Sequence, residues 1–287
     1  MKALLICPGY RAGLKHLTEH APLPLVPLLG ESLLVYWLVH LASLGAKDVT
    51  ICASDRPWAI REAIGTGSRW GLKVRVVDEM YELTVAEARA RHGSGEGWLH
   101  APHDAVLADH LPGLTAQRLG ENYAEWYAAV LAWCDRAITP DRTGYRELSP
   151  GVRVGWQSVI PADAELRAPC WIGEKARIGP GAIIGPHAIV EDRSVVGAGA
   201  EVVRSIVGPE TVVGENTEVA ESIAVGSTLI NWQDGSCLHV PEEFLLCSLR
   251  DQPDSTEWFR RVAQALTGSN PQLIPVDHSP LSNQSSV

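Results

Sequence analysis

The segment PGYRAGLKHLTEHAPLPLVPLLG, residues 8–30, leaves the apolar run KALLIC and leads into the helical-looking ESLLVYWLVHLASLG. A loop passing from a buried strand to a helix N-terminus aims backbone N–H groups at an anion, and phosphates are commonly bound there. Gly9 and Gly13 let such a backbone approach a ligand closely. Arg11 and Lys15 lie on the same loop, and a long flexible cation can reach a phosphate from a neighbouring position. Two readings stay open for these residues: a loop that holds a phosphate-bearing ligand, or a loop whose Arg11 and Lys15 are solvated cations. The six cysteines, Cys7, Cys52, Cys134, Cys170, Cys237 and Cys247, form no CxxC pair and no regular spacing, so the sequence predicts buried thiols and neither a disulfide framework nor a zinc site.

The elements that must hold this loop are legible in the apolar pattern. MKALLIC and KDVTICAS are short runs rich in apolar residues, and LKVRVVD alternates; between them lie the amphipathic SLLVYWLVHLASLGA and PWAIREAIGTGSRWG. That order is β-α-β-α-β, which predicts a parallel sheet with right-handed crossovers. LTVAEARARHG then reads as a helix, GWLHAPHDAVLADHLPGL as a strand with a following loop, and NYAEWYAAVLAWCDRA as a helix. The Pro/Gly/Arg-rich ITPDRTGYRELSPG closes the unit, giving a first domain over 1–148.

From about residue 149 the texture changes to a repeat of six. Stepping from Ile160 gives Leu166, Ile172, Ile178, Ile184, Val190, Val196 and Val202; after a one-residue deletion the register resumes at Val207, Val213, Val219 and Val225. Gly follows many of these positions, as a tight corner without room for a side chain requires. An unbroken aliphatic period of six is neither helical nor a simple strand pattern, and it predicts a parallel β-helix over 149–235. Residues 236–287 read as a cover, with VPEEFLLCSLR and a helix over STEWFRRVAQALTG closing the last coil, followed by a loose tail. Trp171 and Trp232 are expected on the surface, where they would suit an oligomer interface.

With both patterns in place, the chain resembles the sugar-1-phosphate nucleotidyltransferases. That resemblance implies a shortened Rossmann-like (nucleotidyltransferase-type) α/β domain followed by a left-handed parallel β-helix, and attack of a sugar phosphate on a nucleoside triphosphate with the help of Mg²⁺. The family's loop reads G-x-G-T-R-x-x-P-L-T, followed by P-K-P-L. Here Gly9 matches the first glycine, Arg11 stands at the second, Gly13 occupies the Arg slot, and Leu23 stands where the Lys should be. After the third strand the family's Gln and Gly-Thr-Ala fall on Asp78, Leu83, Thr84 and Val85, so only Thr84 survives. The metal-binding aspartate maps to Asp104, with Asp109 as a rival, and Arg118 falls near the second metal carboxylate. The chain between Asp104 and the next helix is too short for the family's sugar-binding half.

The resemblance therefore implies nucleotide contacts at Gly9, Arg11, Gly13, Lys15 and Thr84, Mg²⁺ at Asp104, and little or no turnover. The protein would then act in nucleotide or nucleotide-sugar binding, regulation or assembly, as a homo-oligomer through the β-helix or beside a catalytic homologue. Two alternatives stay open: an active transferase with a rearranged site, and a hexapeptide-repeat acyltransferase using His187 or His239 as general base. Composition narrows the partners. With 287 residues at 46% hydrophobic and a formal net charge of −10, the chain can bury real cores but lacks the basic face that nucleic acid or an anionic membrane would need. An N-terminus that enters its first strand at once, with no long apolar run, predicts a cytoplasmic protein.

Overall fold

The apolar runs of the first domain form the strands expected of them. In the computed structural model, which describes residues 1–137 and 144–251, β1 (Lys2–Ile6), β2 (Asp48–Ala53), β3 (Lys73–Asp78) and β4 (Ala105–Leu107) make one parallel sheet in the order β3-β2-β1-β4. Helices α1 (Leu33–Ser43), α2 (Pro57–Ile64), α3 (Val85–His92) and α4 (Tyr123–Trp133) connect and cover it. Local chemistry sets where they start. Ser32 Oγ accepts from Val35 N at 3.3 Å to open α1, Asn122 Oδ1 accepts from Glu125 N at 2.9 Å to open α4, and Pro57 pre-sets the first turn of α2. Strand alternation splits the side chains of β1. Ala3 and Leu5 face α1 and α4, while Leu4 and Ile6 face Ala88 of α3. Residues 108–122 connect β4 to α4.

The hexapeptide pattern forms a three-sided parallel β-helix. Cys170–Ile172, Arg177–Ile178 and Ile183–Ile184 are the three sides of one coil, and each pairs in parallel with its counterpart one coil on. Partners lie 18 residues apart in the earlier coils (Cys170↔Ala188) and 17 apart later (Ile189↔Ile206). The inward ladder runs as expected from Ile172 through Val219, and Ile172, Ile184, Val190, Val196, Val202, Val207 and Val213 are wholly buried. It departs at its end. Ala224, not Val225, takes the inward slot opposite Val207, and Val225 is 37% exposed, because this coil too is one residue short.

Both ends of the β-helix differ from the expectation. Its first sheet begins at Tyr145, since Tyr145–Ser149 pairs antiparallel with Val152–Gly155. At the other end Ser222–Val225, Thr228–Asn231 and Cys237–His239 form an antiparallel meander. Within VPEEFLLCSLR, Leu246–Ser248 pairs antiparallel with Thr211–Val213, so it extends one side of the prism rather than lying across its end. The helix and tail expected over 255–287 lie outside the described residues.

Trp171 is not on the surface. It is fully buried, its ring 4.4 Å from that of Tyr145, and it heads a stripe of outward-facing neighbours in register, Trp171, Ile189, Ile206, Ile223 and Ile230. This stripe packs into the same core as Leu34, Leu38 and Leu41 of α1 and Trp126 and Val130 of α4. Trp232 is covered in part by Tyr127, whose ring stacks on it at 4.5 Å. The apolar face that looked free in the sequence thus joins the two halves of the chain. At roughly 1.5–3 kcal/mol per buried aliphatic side chain, it fixes their relation firmly.

Candidate functional site

The parallel pairing runs one residue past β1: Cys7 N donates to Cys52 O at 2.9 Å and Ala108 N to Ile6 O at 2.8 Å. The segments beginning at Pro8, Ser54, Glu79 and Asp109 therefore leave together at the carboxyl edge of the sheet, where open α/β sheets place ligands. At this edge the Glu82 carboxylate accepts from Gly9 N at 2.7 Å, from Arg11 Nη1 at 2.7 Å and from Arg11 Nη2 at 2.9 Å. Burial works against ionisation of Glu82, but the Arg11 hydrogen bonds, the Gly9 N–H and the guanidinium charge outweigh it and hold the carboxyl below its usual pKa. Arg11 in turn is held above its ordinary value: the Glu82 hydrogen bonds outweigh burial, and the charges of Glu82, Asp109 and Glu121 add to them. The Arg11 stem lies over Gly120 (φ +113°), where a Cβ would come within 2.9 Å of Arg11 Cγ.

The other residues singled out in the sequence are placed as follows. Gly13 packs against the backbone at the start of α4, and a Cβ there would stand 2.0 Å from Glu121 O. The slot that the family gives to Arg is thus closed by main chain. Lys15 lines a separate cavity of about 290 Å³ with Asn122, Tyr123, Gln233 and Asp234, between the loop and the meander of the β-helix. Leu23, in the slot for Lys, is buried in the core. Thr84 caps α3: its Oγ1 accepts from Glu87 N at 3.2 Å while Glu87 Oε2 accepts from Thr84 N at 2.8 Å. Asp78 pairs with Arg61.

Asp104 stands at the wrong end of the sheet to meet the loop. It precedes β4, where its carbonyl accepts from Leu4 N, and its carboxylate is held by Arg89 Nε at 2.9 Å and Nη2 at 2.7 Å. The rival Asp109 lies five residues on, roughly 15 Å along an extended chain, at the carboxyl edge. Its side chain is 10% exposed, Oδ1 lies 2.8 Å from His110 Nδ1 and Oδ2 lies 3.5 Å from Arg118 Nη1. Mg²⁺ wants several free oxygen ligands in an octahedron. Here Asp104 pairs with Arg89 away from the loop, and among the described residues no group of three converging acid, His or Cys side chains includes Asp104, Asp109 or Glu82, so the donor set does not fit that ion.

Two further carboxylates went unread in the sequence. Glu82 carries no periodic signal; it sits between Tyr81 and Leu83 in a segment without pattern. Glu191 does carry one, since it follows Val190 where Gly173, Gly179, Gly185 and Gly197 follow the neighbouring ladder residues. Only 2% exposed, it reaches from the β-helix to accept from Leu29 N at 2.5 Å and Gly30 N at 2.6 Å. Those two residues turn the short hairpin Pro27–Leu28/Glu31–Ser32 with φ of +51° and +78°, so their N–H groups converge on one acceptor. Of the histidines, His187 accepts at its carbonyl from Tyr127 Oη at 2.7 Å, and His239 lies on the meander with Nδ1 3.3 Å from Ser227 Oγ. Among the described residues no helix is long and apolar enough to cross a membrane.

Comparison with known proteins agrees with both halves of this picture. Residues 169–204 match the bacterial transferase hexapeptide family (six repeats). The chain is 35% identical over 86 residues to a glucose-1-phosphate thymidylyltransferase of Streptomyces griseus, a match covering 30% of this chain and 24% of that protein. It is 28% identical over 88 residues to the glucose-1-phosphate thymidylyltransferase of Streptomyces antibioticus, covering 31% and 25%. The matched region spans about a quarter of the length of these curated relatives. The chain is thus similar to sugar-1-phosphate nucleotidyltransferases that carry hexapeptide repeats.

Proposed function

We propose that this protein is a nucleotidyltransferase-like chain that has kept the fold and lost turnover, and that it acts in nucleotide or nucleotide-sugar binding, regulation or assembly. One observation carries the reading: the Glu82 carboxylate occupies the Gly9 N–H and the Arg11 guanidinium, the groups with which this loop would hold a phosphate. A triphosphate has to displace it and then lie beside Glu82, Asp109 and Glu121. Each pair of unit charges 4 Å apart adds about 4 kcal/mol of repulsion at an effective dielectric of 20. Gly13 and Leu23 stand in the family's cation slots, and neither supplies a positive charge. Phosphoryl transfer depends on placed cations more than on acid–base groups, so their loss costs rate before it costs binding. Assembly through the β-helix, or with a catalytic homologue, is the setting in which such a subunit would act.

The test is a thermal-shift screen of the purified chain against nucleoside triphosphates and nucleotide sugars, with and without Mg²⁺, beside a pyrophosphate-release assay with sugar 1-phosphates. Ligand that binds the native state raises its melting temperature. A shift without pyrophosphate release assigns the chain to binding, and no shift assigns it to assembly. Glu82→Ala, which frees Gly9 and Arg11, is expected to create or enlarge the shift. Pyrophosphate release that disappears in Arg11→Ala would overturn the proposal.

A further inference from the structure

We infer that Cys52, Glu79 and His92 form a binding site for a zinc-like divalent cation, formed on the face of the sheet beneath α3 and separate from the Glu82 contact. The sulfur of Cys52, a carboxylate oxygen of Glu79 and a ring nitrogen of His92 all lie within 4.8 Å of one another. Three elements bring them there. Cys52 is paired with Val77, and Glu79, two residues further on, returns to the same face. Its backbone N donates to Ala53 O at 2.9 Å, which extends the β2–β3 pairing to this point. His92 is the last residue of α3, the helix whose Ala88 packs with Cys52 against Leu4 and Ile6.

The surroundings are those of a ligand set rather than of three unrelated side chains. The Glu79 carboxylate is 8% exposed, and its two oxygens are held differently. Oε2 accepts from Arg91 Nη1 at 2.7 Å, and Arg91 Nη2 donates to Tyr81 Oη at 2.6 Å. Oε1 lies 2.7 Å from His92 Nε2. A metal-bound carboxylate commonly has its outer oxygen fixed by a hydrogen bond, and Arg91 supplies one while offsetting the Glu79 charge. The short Nε2–Oε1 contact marks where a cation would sit. Zn²⁺ takes S at about 2.3 Å and N or O at about 2.0–2.2 Å, which sets ligand atoms about 3.4 Å apart in a tetrahedron. To reach that spacing the Nε2–Oε1 pair has to open from 2.7 Å, with the Cys52 sulfur already within 4.8 Å of its partners' ligand atoms.

On binding, the Cys52 thiol proton leaves to solvent, and the neutral His92 ring loses its Nε2 proton to solvent and takes one up on Nδ1, which frees the Nε2 lone pair for the cation. His92 then ligates through Nε2 as a neutral ring with its proton on Nδ1. Thiolate and imidazole with one carboxylate select Zn²⁺ or Co²⁺ over Mg²⁺ or Ca²⁺, and three protein ligands leave a fourth position for water. The ligands are spread over residues 52, 79 and 92, which explains why no motif showed them. The inference does not rest on the proposed function.

The chelator-treated full chain is titrated with Co²⁺ and, in competition, with Zn²⁺ and Mg²⁺. Expected are the visible bands of tetrahedral cobalt with a sulfur-to-cobalt charge-transfer band, displaced by Zn²⁺ and untouched by Mg²⁺. Cys52→Ser removes the charge-transfer band. His92→Gln, a half-buried helix-end change that spares the core, weakens binding by more than the ~10–100-fold typical of changes outside the ligand set. Cys237→Ser, which removes the exposed thiol, leaves the spectrum as it was. Absence of the charge-transfer band in the wild-type chain, or its survival in Cys52→Ser or at unchanged affinity in His92→Gln, overturns the inference.

Discussion

In the β-helix each strand's backbone donors are met by the equivalent residue one coil away, so Ile189 finds Ile206 and Ile206 finds Ile223. In the segment 8–30 the middle closes on its own carbonyls, but donors near each end are met by single carboxylates from distant parts of the chain. Glu82 takes Gly9 and Arg11, and Glu191 takes Leu29 and Gly30. The first arrangement is redundant: coils of 18 and of 17 residues stack in the same three sheets, and the omitted residue costs only a shift of one side chain from inside to outside. The second is not redundant. Each loop end depends on one acid, and Leu29 holds a left-handed conformation that a β-carbon disfavours, against which Glu191 supplies two short hydrogen bonds.

Substitutions can break or sharpen this contrast. The largest effect is expected for Gly13→Arg, which restores the residue of the related family. A Cβ 2.0 Å from Glu121 O forces the loop off α4, so the loss of stability exceeds the about 1–3 kcal/mol of ordinary overpacking, read as a fall in Tm or a failure to fold. Ile184→Ala opens a cavity in the ladder and is expected to cost about 2–5 kcal/mol of stability, read from urea unfolding, while far-UV circular dichroism keeps the β signature. A collapse of that signature would deny the redundancy of the coils. Glu191→Ala strands the N–H groups of Leu29 and Gly30 and is expected to cost about 3 kcal/mol, whereas Glu191→Gln, which keeps one acceptor, costs less.

Glu82→Gln should cost about 1 kcal/mol at neutral pH, because both partners are about a quarter exposed and the pair is partly screened. Its pH dependence has a definite sign. The folded carboxyl titrates below its unfolded value of about 4.3, so its contribution is complete above that pH and is lost as pH falls through the lower folded value. The gap between wild type and Glu82→Gln, measured by urea unfolding from pH 7 down to pH 3, should therefore close in acid. A gap that widened would mean the Arg11 contact does not exist in solution. Val225→Thr should lie within about 0.5 kcal/mol of wild type, since Val225 faces outward; a loss like that of Ile184→Ala would restore it to the ladder.

Much of the fold is written in local pattern. β1 and β2 follow from apolar runs, β3 from alternation, α1 and α4 from an amphipathic or apolar stretch behind a capping residue, and the β-helix from an aliphatic period of six. The second deletion before Ala224 leaves no mark in residue type, because Val225 keeps the aliphatic type while losing the position. The pairs Trp171-Ile172, Ile189-Val190 and Ile206-Val207 held a signal that was not read: the second residue of each fills the prism, and the first builds an outer apolar stripe that something has to cover.

The site was legible only as a segment. Gly9, Arg11, Gly13 and Lys15 lie in the loop where the sequence put them, but what each faces was set elsewhere in the chain. Asp104 and Asp109 are indistinguishable as letters, and the parallel pairing of Leu4 with Ala105 decides which of them reaches the carboxyl edge. Sequence by itself determined the parts, because periodicity and capping act over a few residues and repeat. Tertiary structure alone decided that Glu82 closes on Arg11, that Glu191 reaches Leu29 and Gly30, and that Cys52 meets Glu79 and His92. Those contacts join residues 27–162 positions apart, and a side chain's electrostatic partner at such separation is fixed by packing, which leaves no period in the sequence to read.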